Sequence, residues 1–232
     1  MEHYNAMLAK IGLTPLLILG GILIVAIVSS YYTKKARIKR KLKKTDQKRI
    51  ASFRDGDIAK IVGTVEIIET PLEAPLSMRK CASFYVLVER KVSSGKSSHW
   101  KKIIEEEGNS TYLIKEGGSY AFINDTHINS YIVRDKEYSS GFLNDATDHL
   151  EKYLNSKGHE SEGLFNFNKT LRYKEGILEQ GEKIAVIGKG QWQEASTLGL
   201  PKKYGKVLAL TSNEGKPMYL SDDPDTTRRR RH

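Results

Sequence analysis

Residues capable of covalent or acid–base chemistry are few and widely spaced in this chain of 232 amino acids. Cys81 is the only cysteine, so an internal disulfide and a zinc site with two or more cysteine ligands are both excluded. His99, His127, His149 and His159 are scattered without the spacing of metal ligands. The sequence therefore predicts no metal site, no cofactor and no assembled catalytic group.

Cys81 itself has two interpretations. It could be a nucleophile if a histidine base lay beside it in the fold. It could instead be a small, buried side chain at the start of a strand, which is the interpretation we favour. Two further segments are predicted to be structural. Gly188–Lys189–Gly190 lacks both the dinucleotide and the P-loop spacing and is predicted to be a turn, and Glu105–Glu107 is predicted to be a solvated loop.

The N-terminal region has the pattern of a membrane anchor. Residues 11–28 contain no charged side chain, and Thr14–Pro15 is a favourable helix start. A helix from Pro15 to Tyr32 would be roughly 27 Å long, close to the hydrocarbon thickness of a bilayer. We predict a transmembrane helix at 11–32 after a short segment at 1–10. A buried core helix and a cleaved signal peptide are the alternatives, and the strong positive charge that follows disfavours the second.

A basic run follows the apolar segment, and its eight cations are Lys34, Lys35, Arg37, Lys39, Arg40, Lys41, Lys43 and Lys44. By the positive-inside rule, this run places the rest of the chain in the cytoplasm, with the N-terminus outside the cell membrane. The cations could also attract anionic headgroups, or they could be a topology signal alone. Residues 33–52 are predicted to be a solvated helical or flexible stalk.

The net charge of +10 suggests nucleic-acid binding until its position is considered. Residues 50–227 hold 23 basic and 26 acidic side chains, a net of −3, and the remainder of the chain has a net of +13. A nucleic-acid-binding domain needs a basic face of its own. No nucleic-acid partner is therefore expected, and a barrel that binds RNA or DNA stays the least favoured alternative.

The remaining residues predict a mainly β (α+β) domain at 53–222, with about nine strands and one helix. Strand-like runs at 58–68 and 83–92 are rich in β-branched and aromatic residues. A helix capped by Asn144 and ended by Gly158 is predicted from its apolar spacing. The expected architecture is a barrel-like or sandwiched antiparallel sheet with one packed helix, followed by a flexible basic tail at 223–232.

Several segments, in order, resemble the GIDE family, also called the beside-a-membrane (BAM) domain, in its prokaryotic form. The family is best known from a mitochondrial RING E3 ubiquitin ligase. The resemblance covers about 60–222, and its most specific part runs from the Pro75–Leu76 element through Cys81 and Tyr85 to Glu89. The matching residues are Gly63, Pro75, Leu76, Cys81, Tyr85, Glu89, Trp100, Asp125, Glu175, Gly181 and Gly188.

The resemblance implies a domain that works beside the bilayer, with these residues as a structural or binding cluster. It does not imply ligase activity, because one cysteine cannot supply the Cys/His ligands of a RING. We expect a single-pass, non-catalytic binding or scaffold module. Its partners would be the lipid bilayer and a membrane or membrane-proximal protein. The alternative is an enzyme, or a ubiquitin-ligase-like function without a RING, that uses Cys81 or an unrecognised pocket, and the sequence leaves the oligomeric state open.

Overall fold

The computed structural model describes residues 15, 18–22, 25, 29, 32–95, 97–140, 148–159 and 170–228. Most of the predicted membrane segment at 11–32 lies outside this set. Residues 15, 18–22, 25 and 29 are helical. Within the described ranges, no helix is long and apolar enough to cross a bilayer. The transmembrane helix therefore stays a prediction.

The described part of the chain is predominantly β, as predicted, with thirteen strands and, from Lys34 onward, three α-helices. The helices are α1 (Lys34–Lys44), α2 (Asp148–Ser156) and α3 (Pro224–Thr227). The strands are β1 (Ile58–Ile67), β2 (Leu72–Glu73), β3 (Lys80–Cys81), β4 (Ser83–Ser94), β5 (Ser97–Asn109), β6 (Tyr112–Glu116), β7 (Ser119–Ile123), β8 (Ile128–Tyr131), β9 (Lys136–Ser140), β10 (Leu171–Leu178), β11 (Lys183–Glu194), β12 (Lys206–Thr211) and β13 (Met218–Ser221).

Five strands close into a barrel in the order β1-β6-β7-β12-β11, with β11 pairing back onto β1. The pairing of β7 with β12 is parallel, as is that of β13 with β8, so the predicted wholly antiparallel sheet is wrong. The barrel strands, counted along the chain, follow the order 1-2-3-5-4-1. That Greek-key order is the topology of the OB-fold, which by itself assigns no function.

Gly63 lies where β1 changes partners, from β11 to β6. A Cβ at this position would come within 2.6 Å of the Lys115 carbonyl oxygen and 2.8 Å of the Ile114 side chain. Only glycine fits this close approach, so Gly63 has a packing role in the barrel wall. The register of β1 with β11 runs through Gly63 without a bulge.

Two long insertions into the barrel build a second, four-stranded antiparallel sheet in the order β5-β4-β10-β9. Alternate residues of β4 and β10 face inward, and α2 covers them with Leu150, Tyr153 and Leu154. A second hydrophobic core forms there, separate from the barrel core. The inward face thus belongs to α2, and the opposite face of this sheet is turned toward the rest of the molecule.

The predicted stalk is instead part of the folded unit. Ile38 and Leu42, one helical turn apart on α1, are fully buried against Ala185 and Ile187 of β11. Lys39 pairs with Asp223 at 2.8 Å and with Asp225 at 3.1 Å. Two apolar side chains are enough to pack α1 onto the sheet, because aromatic and β-branched residues of the sheet surround them.

The C-terminal segment also differs from the prediction of a flexible tail from residue 223. Asp223 caps α3, accepting a hydrogen bond from the Asp225 N–H at 3.0 Å, and Thr226 is fully buried. Pro224 stands at the first position of this helix, where proline is favoured. Residues 229–232 lie outside the described ranges.

Two other segments that were predicted to be a loop and a turn belong to strands, because neighbouring strands pair with them. Glu105–Glu107 belongs to β5 rather than a loop, because β4 pairs with it along its whole length. Gly188–Lys189–Gly190 lies inside β11 rather than in a turn, because β11 continues past β1 to pair with β12. The predicted cap Asn144 lies outside the described residues. Gly158, at a positive φ of 73°, follows α2 as expected.

Candidate binding groove

A groove of about 930 Å³ lies beside α1. It lies between the end of the barrel and the second sheet. Tyr112, Ile123 and Ile128 line it from the barrel side, where they are half-buried members of the barrel core. Tyr85, Glu105 and Glu107 line it from the second sheet. This volume falls in the range of small-molecule sites, and the lining combines an apolar part with many polar and charged side chains.

A short segment after β8, residues 132–134, also lines the groove and is held firmly. The Val133 N–H donates to both carboxylate oxygens of Asp222, at 2.8 and 3.0 Å. The Val133 carbonyl lies so close to Gly176 that a Cβ there would be 2.5 Å from its oxygen. Backbone contacts on both sides therefore fix this part of the wall before any ligand arrives.

Asp222 has an unusual environment for a carboxyl group. Burial raises its pKa to about 7, and the nearby Glu182 and Asp135 carboxylates act in the same direction, against the hydrogen bond from Val133. Asp135 in turn accepts the Ile177 N–H at 2.8 Å. Carboxylates thus fasten the 132–135 segment to the barrel and the second sheet.

The rim of the groove carries charges of both signs. The exposed Thr33, Lys34 and Lys35, at the start of α1, form one side of it. The Lys35 Nζ lies 4.8 Å from the centre of the Tyr131 ring, a cation–π contact. On the opposite side, the Tyr85 hydroxyl donates to Glu105 at 2.9 Å. Burial and this carboxylate raise the pKa of Tyr85 well above its ordinary value.

A second cleft of about 940 Å³ opens on the outside of β1 and β6. Its lining includes Lys115, Lys183 and Arg228, and Gly63 is the only predicted site residue in it. The Lys115 ammonium pairs with Glu66 at 3.1 Å, and Glu66 is not one of the residues that line this cleft. This cleft is more open, so it offers less enclosure to a ligand than the groove beside α1.

The residues of the GIDE-like pattern fall into three groups. The first is buried beneath α2. The Leu76 N–H donates to the Glu175 carboxylate at 2.7 Å, and the side chain of Glu175 is almost fully buried. His149 Nε2 lies within hydrogen-bond distance of the Pro75 carbonyl. Cys81 is fully buried in the same core. This group fastens the 74–81 segment to β10.

The second group lies on the face of the second sheet that is opposite α2. Glu89 accepts hydrogen bonds from Arg172 Nε at 2.6 Å and Lys174 Nζ at 2.7 Å, and these cations hold its pKa at about 2. The guanidinium of Arg172 stacks over the Trp100 ring at 4.4 Å. Arg172 and Lys174 alternate with the buried Tyr173, a period-2 pattern that could have revealed this face from sequence.

The third group lies in the strands and turns of the barrel. Asp125 accepts hydrogen bonds from the N–H groups of His127 and Ser212, both at 2.8 Å, and these contacts, together with the Ser212 hydroxyl, lower its pKa to about 2. Gly181 adopts a φ of 82°, and Gly188 lies within β11. Of the predicted cluster, only Tyr85 and Asp125 line the groove. The pattern marks mainly how the fold is held together.

The eight cations predicted to face the membrane surface occupy different environments in the structure. Lys39 and Lys43 pair with acidic residues at 223–225, so they fasten α1 and α3 together. Lys34 and Lys35 lie at the groove. Arg37, Lys41 and Lys44 are exposed and, at helical spacing, share one side of α1 with Lys34. Arg40 is half-buried.

Cys81 is expected to resist alkylation in the folded protein. Burial, aided by the Glu175 and Glu179 carboxylates, raises the pKa of the Cys81 thiol to about 11. The thiolate fraction at pH 8 would then be about 0.1%. Mass spectrometry after iodoacetamide treatment should show an unmodified native chain and a single adduct after unfolding in guanidinium. Rapid modification of the native chain would instead support the nucleophile interpretation.

Within the described residues, no cluster of three or more histidine, cysteine, aspartate or glutamate side chains could hold a metal ion. Comparison with known proteins finds no matching family model, no matching curated protein and no matching solved structure. The functional inference therefore depends on the groove, its neighbouring helix and the sequence pattern.

Proposed function

We propose that this chain is a membrane-anchored, non-catalytic binding module of the GIDE type, working at the cytoplasmic surface of the cell membrane. The observation that carries the proposal is the position of the groove. Its rim includes Lys34 and Lys35, which begin only two residues after Tyr32, the last residue of the predicted anchor. A ligand or partner bound there would lie beside the bilayer.

Three further features support an anchor at this end of the molecule. Helical residues Ile18, Leu19, Ile22 and Val25 present apolar side chains that are 61–68% exposed. Water does not favour such a row, whereas lipid does. The Thr33 hydroxyl accepts the Ala36 N–H at 3.2 Å and so begins α1 as a new helix. The stripe of Lys34, Arg37, Lys41 and Lys44 would suit an anionic headgroup layer.

The single cysteine gives a direct test of anchoring and sidedness. Ser98, an exposed residue of β5, can be replaced by cysteine while the buried Cys81 contributes little background. We expect the full-length Ser98→Cys chain to stay in the membrane fraction after alkaline carbonate extraction. A membrane-impermeant maleimide should label it only after the membrane is permeabilised. Recovery in the soluble fraction, or labelling of intact cells, would contradict the proposal.

A further inference from the structure

We propose that the groove beside α1 binds one phospholipid, with an acyl chain against the barrel end and the headgroup phosphate at Lys34 and Lys35. This inference rests on the proposed membrane anchor and deepens it by naming the ligand class. It assigns a lipid-binding role to residues outside the GIDE-like pattern.

The inner part of the groove fits a flexible apolar chain. Its barrel side presents Tyr112, Ile123 and Ile128, which are half-buried and continue the barrel core. Ile132 and Val133 add apolar surface from the fixed segment after β8. A volume of about 930 Å³ is at the upper end of the range for ligand pockets. Burial of methylene groups on these side chains would provide the favourable free energy, at about 0.8 kcal/mol for each group.

The outer part of the groove fits a headgroup phosphate. Lys34 and Lys35 are exposed, adjacent in sequence and at the first turn of α1. Lysine ammonium groups bind phosphate as mobile point charges, so two of them can follow a headgroup without fixed geometry. The Tyr131 ring beneath Lys35 keeps that ammonium at the rim. Glu105 and Glu107 are exposed on the opposite side and repel a phosphate there, so the headgroup is expected on the Lys34 and Lys35 side.

The position of the groove next to the predicted anchor would bring it close to phospholipids. If the apolar helical residues before Tyr32 lie in lipid, the Lys34 and Lys35 rim stands at headgroup level, where phospholipids are the most abundant amphiphiles. A chain leaving the bilayer would then enter the groove over a short distance. Apolar contact inside and cationic contact at the rim match the two ends of a phospholipid.

A photoreactive lipid tests the proposal on the full-length chain. Vesicles of phosphatidylethanolamine and phosphatidylglycerol would contain phosphatidylglycerol with a diazirine in one acyl chain. After illumination, peptide mass spectrometry should find adducts both in the N-terminal apolar segment and in the groove segment 128–134. Adducts in the apolar segment alone would overturn the lipid proposal and leave the anchor intact. A chain without adducts in the apolar segment would overturn the proposed function itself.

One substitution and its matched control decide whether the groove holds the lipid. Ser130→Trp fills the groove from β8, and Ser98→Trp makes the same change on an exposed strand outside it. We expect Ser130→Trp to lower adducts at 128–134 about tenfold while adducts in the apolar segment persist. Ser98→Trp should change neither set. Equal labelling of both variants in the groove would contradict the proposal.

Two double variants test the contribution of charge to lipid binding, and all four substituted residues are exposed on α1. Lys34→Glu with Lys35→Glu should lower the groove adducts about fivefold. Lys41→Glu with Lys44→Glu changes the net charge of α1 equally but leaves the groove rim untouched. If both pairs lowered the groove adducts alike, the cations would act through general membrane attraction, and the assignment of a phosphate to this rim would be wrong.

Discussion

Replacement of Leu42 by aspartate is expected to release α1 from the sheet and to lower the free energy of unfolding by about 3 kcal/mol. Leu42 is fully buried with Ile38 against β11. The substitution removes an apolar contact and places a carboxylate in that interface. The large effect comes from the apolar pair, because the half-exposed Asp225 and its lysine partners contribute at most about 1 kcal/mol.

Trypsin provides the measurement, since α1 contains eight cleavage sites and no other helix of the described residues is so basic. We expect slow cleavage within α1 in the native chain and rapid cleavage in Leu42→Asp, with the barrel fragment from Ile58 onward persisting. Lys41→Asp is the matched control, because it introduces the same side chain on the exposed side of the same helix. Equal cleavage of the two variants would contradict the packing of α1.

The packing of α1 has a consequence for how the domain meets a membrane. A flexible stalk would let the domain rotate freely below its anchor. A helix fastened by Ile38, Leu42 and the Lys39–Asp223 pair removes that freedom from residue 34 onward. Only the residues around Tyr32 and Thr33 then separate the predicted anchor from the folded unit. The groove is therefore expected to keep one orientation toward the bilayer.

The strands were predictable from sequence where alternation was strong and local. The β4 segment follows its predicted run at 83–92 closely, because the buried Phe84, Val86 and Val88 alternate with less buried residues. Barrel closure was not predictable, because it depends on β1 meeting β11 across more than a hundred residues of inserted chain. The extension of β11 through Gly188 and Gly190 depends on a partner, β12, that no local pattern reveals.

The groove could not be predicted from the sequence either, because its lining residues are distant from one another along the chain. Tyr112, Ile128 and Lys35 come from three separate parts of the chain, and each alone is an ordinary strand or helix residue. The GIDE-like pattern directed attention to Cys81 and Glu175, which lie in the core beneath α2. Asp222 had no sequence signal, because its unusual pKa comes from burial and from carboxylates of distant segments.

Asp222 is expected to make the stability of the domain fall as the pH rises from about 4 to about 7. Burial raises the pKa of this carboxyl to about 7 from 3.8, so the native state holds a proton in that window that the unfolded chain has released. The free energy of unfolding should then decrease by up to about 1.4 kcal/mol per pH unit and level off above pH 7. The direction is opposite to that of an ion-paired carboxylate.

Asp222→Asn should remove most of this dependence, because an asparagine carbonyl oxygen can still accept the Val133 N–H and never ionises. We expect the variant to match the native chain near pH 4.5 and to be more stable at pH 8, measured by denaturant unfolding of the full chain. Burial also raises the pKa of Glu182, so a smaller slope of the same sign should remain.

Asp125→Asn is the control, because the pKa of Asp125 is shifted in the opposite direction from that of Asp222. The pKa of Asp125 is lowered to about 2 by its hydrogen bonds from Ser212 and His127, so its stabilising contribution is complete between pH 5 and 8 and is lost only in acid. This variant should be less stable by a constant amount across that range. If Asp222→Asn kept the native pH slope, the carboxyl would be ionised in the folded protein. The Val133 wall of the groove would then be held by a charge.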